Sequence, residues 1–504
     1  MKKLKKMMTY IIAASLGIMP LQTLAYEGEM GYFGGVTPGK KLPTMISLAA
    51  EKSKNIGTVE LPYQENIYLT GKPITVTGTL TFKPVVLDDD EEVGDYKESY
   101  IIEAEDVASD SKVTRTVTLE TSYVYNPLTK QTTKTSEVTN WSEIVKVEGE
   151  TYQLDEDAST FSKSILEEAT PGVMYYSGDV IYQAVYKVLN GEDGEVITLN
   201  NTTELYGYDH VYAKTETQKR KIQIDAGGQQ FYIEEMPTYT TNKELQYSSN
   251  EPEAMSFEGN YREINRGTGS LVYQIIRGDY ELFDHQKQGG TQVVDTPSVE
   301  QLGAVDLSHL KGHPGEWDAK KLYSLGILKG NPKAFSPNLA VTKGDFVKLL
   351  VDALRIPLPE EKKGSRKKSD EDAVVVFTDL TQEDSFYPYA MAAYEAGLLP
   401  SGKANPGKYL TREEMYTLIV RAIGLEQLGI GADSIATPYV DDANISPAYK
   451  NSIYAASRIN LIPMNNGYFF PQSTVRYMDA VTVLVDLLDY LRHDLQKDYA
   501  EKMI

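Results

Sequence analysis

The sequence contains no cysteine, few histidines and, after its first segment, no long apolar run. Without cysteine, neither disulfide bonds nor thiolate metal sites can form, so burial and hydrogen bonding must stabilise the chain. No segment after residue 25 approaches the roughly 20 apolar residues that a membrane-spanning helix needs. The chain of 504 residues is too long for one core, which indicates two or three domains.

The first 25 residues have the pattern of a secretory signal peptide. Lysines crowd the first six positions, a largely apolar run extends from Met7 to Leu21, and Thr23 and Ala25 offer small residues before a cleavage site. The alternative is an uncleaved membrane anchor, but the apolar run is short for a bilayer. We therefore expect a secreted protein at the cell surface, with no membrane span after cleavage and with residues 26–56 as an N-terminal extension.

Acidic residues are concentrated in the front half of the chain. Residues 26–300 hold 23 Lys and Arg against 46 Asp and Glu, whereas residues 301–504 hold 23 against 26. This excess of negative charge disfavours nucleic acid and anionic membranes as partners. Acidic clusters at 88–92 and 155–157 offer oxygen ligands for Ca²⁺, but neither has the alternating Asp-x-Asp-x-Asp-Gly loop. We expect solvated loops there and no required cofactor or metal.

Residues 57–285 have the two-residue periodicity of β-strands. In the run 113–125, apolar and polar side chains alternate, which predicts one buried and one exposed face. The apolar face consists of Val113, Val117, Leu119, Tyr123 and Tyr125. Turn signals predict hairpins over 180–199 and 221–233. We expect an antiparallel, all-β, sandwich-like region that is followed by a polar linker at 286–303.

No catalytic pattern is found in this β-rich region. Its histidines are His210 and His285, and it has no His-x-x-x-His pair, no Gly-rich phosphate loop before a helix and no Gly-x-Ser-x-Gly elbow. Two carboxylates are enough for a glycosidase, but 46 acidic residues make such a pairing uninformative. We expect a non-catalytic region whose function the sequence leaves open.

Residues beyond 303 contain three copies of a helix–loop–helix unit. The copies align on Pro337, Pro406 and Pro471, and nine residues after each proline begins an apolar stripe with the i, i+3, i+4, i+7, i+8 spacing of a helix. An acidic residue opens each unit, namely Asp306, Asp379 and Asp441. The boundaries are 304–356 for repeat one, 357–373 for a charged linker, 374–426 for repeat two, and 427–495 for repeat three with a C-terminal helix.

This triplication resembles the S-layer homology (SLH) family, whose repeat runs from an Asp through a Gly-Ile-Val-x-Gly turn and Phe-x-Pro to Thr-Arg-Ala-Glu at the second helix. The matching segments are Gly326-Ile327-Leu328-Lys329-Gly330, Phe335-Ser336-Pro337, Thr411-Arg412-Glu413-Glu414 and Phe469-Phe470-Pro471. The sequence departs from the pattern at Lys343, which replaces Arg, and in repeat three, where Arg476 comes one place early and Tyr477 takes the Arg position. Lysine lacks the planar two-pronged grip of arginine on a carboxylate.

The resemblance implies an all-α pseudo-trimer whose inter-repeat grooves bind secondary cell-wall polymer, often through a pyruvyl ketal carboxylate. The candidate polymer-binding residues are therefore Arg412, Lys343, Arg476, Trp317 and Tyr477. For Trp317 the alternatives are stacking on sugar and packing between repeats. For Tyr477 they are sugar contact and core filling.

Thr-x-x-acid motifs start the long helices of repeats one and two and predict capping interactions. The capping residues are Thr342 with Asp345 and Thr411 with Glu414. A cation directly after the cap is disfavoured by the helix dipole, but beside free backbone N–H groups it makes an anion site. Lys343 and Arg412 occupy that position. The alternative is a solvated or salt-bridged side chain.

The sequence thus predicts a multidomain protein, anchored non-covalently to the cell wall by its SLH repeats, that displays a β-rich surface or S-layer-associated structural domain. Self-association or other S-layer components are possible partners. The alternatives are a wall-anchored adhesin or glycan-binding module and, third, a wall-displayed enzyme acting on polysaccharide.

Overall fold

The computed structural model describes residues 33–39, 57–83, 92–189, 195–249, 259–277, 288–359, 375–429, 436–463 and 466–503. The expected signal peptide, most of the N-terminal extension, most of the acidic cluster 88–92 and the charged part of the linker 357–373 lie outside the described residues.

The front half of the chain is one antiparallel sheet of fourteen strands within the described residues. The strands are β1 Val59–Ile67, β2 Ile74–Phe82, β3 Val93–Asp106, β4 Ser111–Asn126, β5 Gln131–Val147, β6 Glu150–Leu154, β7 Thr160–Ala169, β8 Met174–Val188, β9 Val196–His210, β10 Ala213–Ala226, β11 Gln229–Ser248, β12 Asn260–Arg277, β13 Gln288–Val294 and β14 Ser298–Gln301. Neighbours in sequence pair in turn, except that β6 and β7 both lie between β5 and β8, and β13 and β14 both pair with β12. We call this sheet and its enclosed core the β body.

Strand β4 shows how alternation builds the β body. Val113, Val117, Leu119 and Tyr123 are buried on one face, as expected, and Tyr125 is half-buried at the strand end. Arg115 lies on the same inner face and is also buried. The expected hairpins are confirmed, because β8 pairs with β9 and β10 pairs with β11.

The stretch expected to be a linker, 286–303, instead contains β13 and β14. Val293 is buried against Leu271 of β12, so this short polar segment completes the sheet edge. Its glycines favour the linker interpretation by composition. Gly289, however, lies where an added Cβ would be 2.4 Å from the Tyr273 hydroxyl, so close packing requires it.

The rest of the chain is helical. The helices are α1 Glu316–Ser324, α2 Lys343–Leu354, α3 Tyr387–Glu395, α4 Arg412–Ala422, α5 Pro447–Arg458, α6 Tyr477–His493 and α7 Leu495–Met503. The apolar stripes of α2, α4 and α6 are buried, and each repeat contributes one short and one long helix. We call this helical region the anchor.

The segments that precede the three long helices join in a closed ring of backbone hydrogen bonds. Val341 N donates to Val475 O (2.9 Å), Val475 N donates to Leu410 O (2.9 Å), and Leu410 N donates to Val341 O (3.0 Å). All three side chains are fully buried. Each repeat therefore bonds to both of the others at equivalent positions.

The β body and the anchor share one hydrophobic core. Val173, Tyr175, Tyr208 and Tyr212 of the β body belong to the same buried cluster as the helices. Tyrosine hydroxyls satisfy carbonyl groups at helix C-termini, which otherwise lack intrahelical partners: Tyr212 OH donates to Ala353 O (2.6 Å) and Tyr175 OH to Ile423 O (2.8 Å). The β body thus packs on the C-terminal ends of α2 and α4, and we call this contact the joint.

Candidate functional site

The first turns of the long helices lie where one repeat meets the next. The first two N–H groups of each helix donate to carbonyls of the neighbouring repeat, in the same way at all three junctions. These bonds are Lys343 N to Lys408 O (2.8 Å), Gly344 N to Pro406 O (3.0 Å), Arg412 N to Ser473 O (3.0 Å), Glu413 N to Pro471 O (3.1 Å), Tyr477 N to Leu339 O (2.9 Å) and Met478 N to Pro337 O (3.1 Å).

These contacts change the expected chemistry of the helix starts. We expected free N–H groups beside Lys343 and Arg412, but the carbonyls of the next repeat already occupy them. The anion site that the helix N-termini were expected to form is therefore not available from the backbone. Any recognition of a carboxylate here rests on the side chains.

Arg412 is held at the junction of repeats two and three. Its Nε donates to Phe469 O (2.9 Å), and its Cζ lies 5.4 Å from the Phe469 ring centroid and 5.6 Å from that of Tyr416. The guanidinium group thus lies beside two aromatic rings that also contact each other (centroids 5.8 Å apart), and a carbonyl orients it, with the side chain half-buried. A guanidinium fixed in this way keeps its planar fork geometry for an anion.

Lys343 occupies the equivalent position between repeats one and two. Burial lowers the pKa of Lys343, although the nearby Glu414 carboxylate acts in the opposite direction. Lys408 forms an ion pair with Glu414 (2.7 Å) in the same place, so this junction already contains a matched pair of charges. Lys343 is less suited than Arg412 to a directed grip.

The third junction lacks a cation at the equivalent position. Tyr477 stands there, and its ring packs edge-on against Phe335 (6.1 Å). Arg476 is exposed at the N-cap position, where its Nη1 donates to Asn338 O (2.7 Å). Burial raises the pKa of Tyr477 to about 12, with the Asp345 carboxylate adding to the shift. The three junctions share a backbone frame and differ in the side chain that each presents.

The expected capping residues contact each other in two pairs, one at the start of α2 and one at the start of α4. Asp345 N donates to Thr342 Oγ1 (3.2 Å), and Glu414 N donates to Thr411 Oγ1 (3.4 Å). Of these two pairs, only Thr411 and Glu414 form a reciprocal capping box, because Thr411 N also donates to Glu414 Oε2 (3.1 Å). These interactions set the orientation of the residue that follows each cap.

Trp317 lies in the first turn of α1 and contacts the β body. Its ring meets that of Tyr247 in β11 edge-on, with centroids 4.8 Å apart, and Lys320 Nζ lies over both rings. The side chain is 47% exposed. Trp317 therefore contacts the β body, and its role in sugar stacking or in packing between repeats stays a prediction.

An exposed aromatic pair beside Arg412 was missed at the level of sequence. Tyr468 and Phe470 stack with ring centroids 5.5 Å apart, and both are exposed. Phe470 has φ +57°, a left-handed conformation that is rare for a bulky residue. The Asp441 carboxylate accepts from Phe469 N (2.8 Å) and Phe470 N (2.7 Å), which fixes this turn. The Phe-Phe-Pro segment was the available signal, since only one of two adjacent rings can face the core.

Acidic side chains at 155–157 form contacts within the protein. In the second acidic cluster, Asp155 pairs with Lys187 (2.6 Å) and Glu156 accepts from Trp141 N (3.0 Å). Among the described residues, no group of three acidic or histidine side chains is arranged to hold a metal ion. Over those same ranges, every helix is too short or too polar to cross a bilayer.

A comparison with protein families gives a match within the anchor. Residues 307–347, which cover most of repeat one and the start of α2, match the model of the S-layer homology domain. The chain carries an S-layer homology domain. This finding confirms the resemblance for repeat one, and it agrees with a secreted protein located at the cell surface or cell wall.

Curated proteins with similar segments are large polysaccharide-active enzymes by name. They include an amylopullulanase of Thermoanaerobacterium thermosulfurigenes (27% identical over 33% of this chain), an endoglucanase of Bacillus sp. strain KSM-635 (28% over 34%) and the exoglucanase XynX of Acetivibrio thermocellus (27% over 40%). The matches cover 9%, 18% and 18% of those proteins. The chain thus matches less than a fifth of each relative's length.

Proposed function

We propose that the anchor holds this protein non-covalently on the cell wall by binding secondary cell-wall polymer, with Arg412 as the main contact to an acidic group such as a pyruvyl ketal carboxylate. The observation that carries the proposal is the Arg412 guanidinium, oriented by Phe469 O beside two aromatic rings at the junction of repeats two and three. The ring of backbone bonds supports packing of the three repeats as a pseudo-trimer with such grooves.

The position of the β body supports this assignment. Arg412 begins α4, whereas the joint contacts Ile423 just past its end. A helix of this length spans about 16 Å, at 1.5 Å per residue. The junctions therefore lie at the opposite end of α4 from the β body, so an anchored protein would project its β body away from the wall.

Tyr468 and Phe470 fit the same role. Their exposed, stacked rings lie next to the Phe469 carbonyl that orients Arg412. Aromatic side chains that present an apolar face to water commonly mark a contact surface. We assign to this pair the contact with the sugar rings on either side of the acidic group.

We further propose that the displayed β body is structural rather than catalytic. Its buried carboxylates are bound to cations: Glu65 and Glu143 both contact Arg115 at 2.8–2.9 Å, and Glu235 contacts Arg220. Carboxylates that are buried against arginines inside the sheet are not free to reach a substrate. A wall-displayed polysaccharide-active enzyme is the second candidate, favoured by the names of the relatives. Release of reducing sugar from wall or plant polysaccharide by the full chain would support it.

The test is retention of the full chain on purified cell walls, before and after chemical removal of the non-peptidoglycan polymer. We expect retention to require that polymer and to weaken roughly tenfold to a hundredfold with Arg412→Ala, the range for losing a hydrogen bond to a charged group. Phe470→Ala should weaken retention less. Arg421→Ala, at the other end of the same helix, is the matched control and should bind as wild type. Equal retention of Arg412→Ala, with an unchanged melting temperature, would refute the assignment.

A further inference from the structure

The β body has a seam where the first strands of its sheet meet the last. At one end the seam is closed by Glu235 of β11, whose Oε1 accepts from Asn66 Nδ2 of β1 (2.9 Å) and from the hydroxyl of Tyr68 just after β1 (2.7 Å). Farther along, β1 pairs with β2 on one side only, and on its other side, within the described residues, Gln64 alone is bridged.

A separate short segment, residues 33–39, fills this open part of the seam. Val36 N donates to Gln64 O (2.8 Å) and Gln64 N donates to Val36 O (3.0 Å), so the segment adds to the edge of β1 as a strand would. Val36 is buried against Leu271 of β12 and Val293 of β13. The segment therefore joins the first strand to the last two.

Phe33 inserts into the centre of the β body. Its ring centroid lies 5.7 Å from those of Trp141, Phe161 and Tyr182, and Arg115 Cζ lies 4.2 Å above it. The side chain is 7% exposed. Under it remains a cavity of about 40 Å³, which is room for only a few water molecules. Phe33 is therefore part of the lining of this small space.

The space around the two residues after Phe33 favours glycine at both positions. A Cβ on Gly34 would lie 1.8 Å from Arg220 Nη1, and one on Gly35 would lie 2.1 Å from the Tyr63 ring. Arg220 has no freedom to move aside, because it is buried and bound to Glu235 and to Tyr182 OH (2.8 Å). Gly34 also has φ +86°, which glycine adopts without strain. The seam accepts a Phe-Gly-Gly-Val sequence and rejects larger residues at the two central positions.

We propose that the seam is a peptide-acceptor site for residues 33–36, and that a second copy of the chain can supply this segment and so link two copies. Seventeen residues, 40–56, separate the segment from the described part of the chain that leads into β1. At about 3.3 Å per residue such a connection reaches about 55 Å when extended, so covalent geometry does not force the segment into its own β body. The contacts are identical whichever copy provides them, and the local concentration of copies decides between the two sources.

Dense display of the protein on a surface favours binding of a segment that comes from a second copy of the chain. Flexible tethering gives an effective concentration of about a millimolar, and anchored copies in a packed layer approach the same order. The seam itself lies wholly within the β body, whereas the preference for a second copy rests on the proposed display of anchored copies at the wall.

The absence of native cysteine makes a direct cross-linking test possible. Val36 and Gln64 form a hydrogen-bonded antiparallel pair, whose Cα atoms lie about 5.5 Å apart, within reach of a disulfide. A full chain with both Val36→Cys and Gln64→Cys should close an internal disulfide under mild oxidation. A mixture of the two single variants, refolded together and size-tagged, should give a heterodimer with one of each chain.

Two controls make the outcome decisive. Glu120→Cys, on the exposed face of β4, replaces Gln64→Cys in a parallel mixture and reports random collision. If the double variant fails to close its disulfide, the segment does not bind the seam and the proposal falls. If the double variant closes but the mixture gives no more heterodimer than the Glu120→Cys control, exchange between copies is refuted.

A labelled peptide of residues 26–39 tests selectivity. It should bind a full chain with Phe33→Ala, whose own segment is weakened, and the same peptide with Phe33→Ala should bind about 100-fold more weakly, the loss expected for a buried phenylalanine ring. A peptide with Gly35→Val should also fail to bind. Equal binding of all three peptides would show that Phe33 and the glycines do not determine acceptance.

Discussion

The β body and the anchor stabilise their interiors in opposite ways. The centre of the anchor is apolar, and its repeats are joined by backbone hydrogen bonds between Val341, Leu410 and Val475. The centre of the β body contains charged side chains that are almost completely buried, including Arg115 and Lys163 on inner faces of the sheet. Arg115 contacts Glu65 and Glu143, and Lys163 lies 3.5 Å from Glu98.

The difference reflects how each region fixes the relative position of its elements. Three similar helical units determine their own arrangement, because each uses the same contact. A long meander of strands has no such repetition, and a slip of one residue would turn each inner side chain outward. We infer that buried ion pairs between distant strands penalise such slips, since a wrong register would leave a charge buried without its partner.

The largest expected effect is a loss of stability when a buried ion pair of the β body is broken. Arg115→Met removes the cation and leaves Glu65 and Glu143 buried and unpaired, which should lower the free energy of unfolding by about 3–5 kcal/mol. Urea titration measures it, followed by the fluorescence of Trp141 in a Trp317→Phe background. Lys72→Met is the matched control, because the Lys72–Glu148 pair is exposed (3.9 Å) and should contribute less than about 1 kcal/mol. If both variants lose the same stability, buried charge does not distinguish the β body.

The comparison also explains how much was predictable from sequence. The three helical units follow from a periodic stripe and three prolines, which are local signals. The carbonyls of the same prolines accept hydrogen bonds from the repeat that precedes each in the ring. The inner face of β4 was predictable from alternation, but Arg115 within it was not. A single strand does not show that its charge will meet Glu65 of β1 and Glu143 of β5.

The candidate site could be predicted only in part, again because some of its features are local and others depend on long-range contacts. The positions of Lys343 and Arg412 at the helix starts were visible, since capping motifs are local. The occupation of their N–H groups by another repeat was not visible, because it depends on contacts about 60 residues away. The contact of Trp317 with Tyr247 and the insertion of Phe33 at the seam are likewise long-range.

The second prediction concerns the joint and its dependence on pH. Burial, with Arg492 nearby, lowers the pKa of His210 to about 3, and its Nδ1 accepts from Tyr212 N and Ala213 N (both 3.2 Å), which requires the neutral ring. In the unfolded chain this histidine takes up a proton near pH 6.5. The unfolded state therefore binds more protons below that pH, and His210 should cost about 2 kcal/mol of stability at pH 5 relative to pH 8.

His210→Asn tests this dependence, since the amide oxygen accepts the same backbone hydrogen bonds and does not titrate. We expect the difference in unfolding free energy between wild type and variant to shift by about 2 kcal/mol between pH 8 and pH 5, in favour of the variant. Carboxylates elsewhere affect both proteins equally. Parallel stability curves for the two proteins would show that His210 stays neutral in the unfolded state as well or is not buried.

The smallest effect tests whether the two regions unfold together. Tyr212→Phe removes the hydroxyl that donates to Ala353 O and leaves that carbonyl without this partner, so stability should fall by about 1–2 kcal/mol. Because the core is shared, Trp141 fluorescence in the Trp317→Phe background and helical circular dichroism should both shift, and by the same amount. Tyr409→Phe, at a 61% exposed position in the anchor, should change neither by more than about 0.5 kcal/mol. A shift in only one of the two signals would mean that the joint does not couple the β body to the anchor.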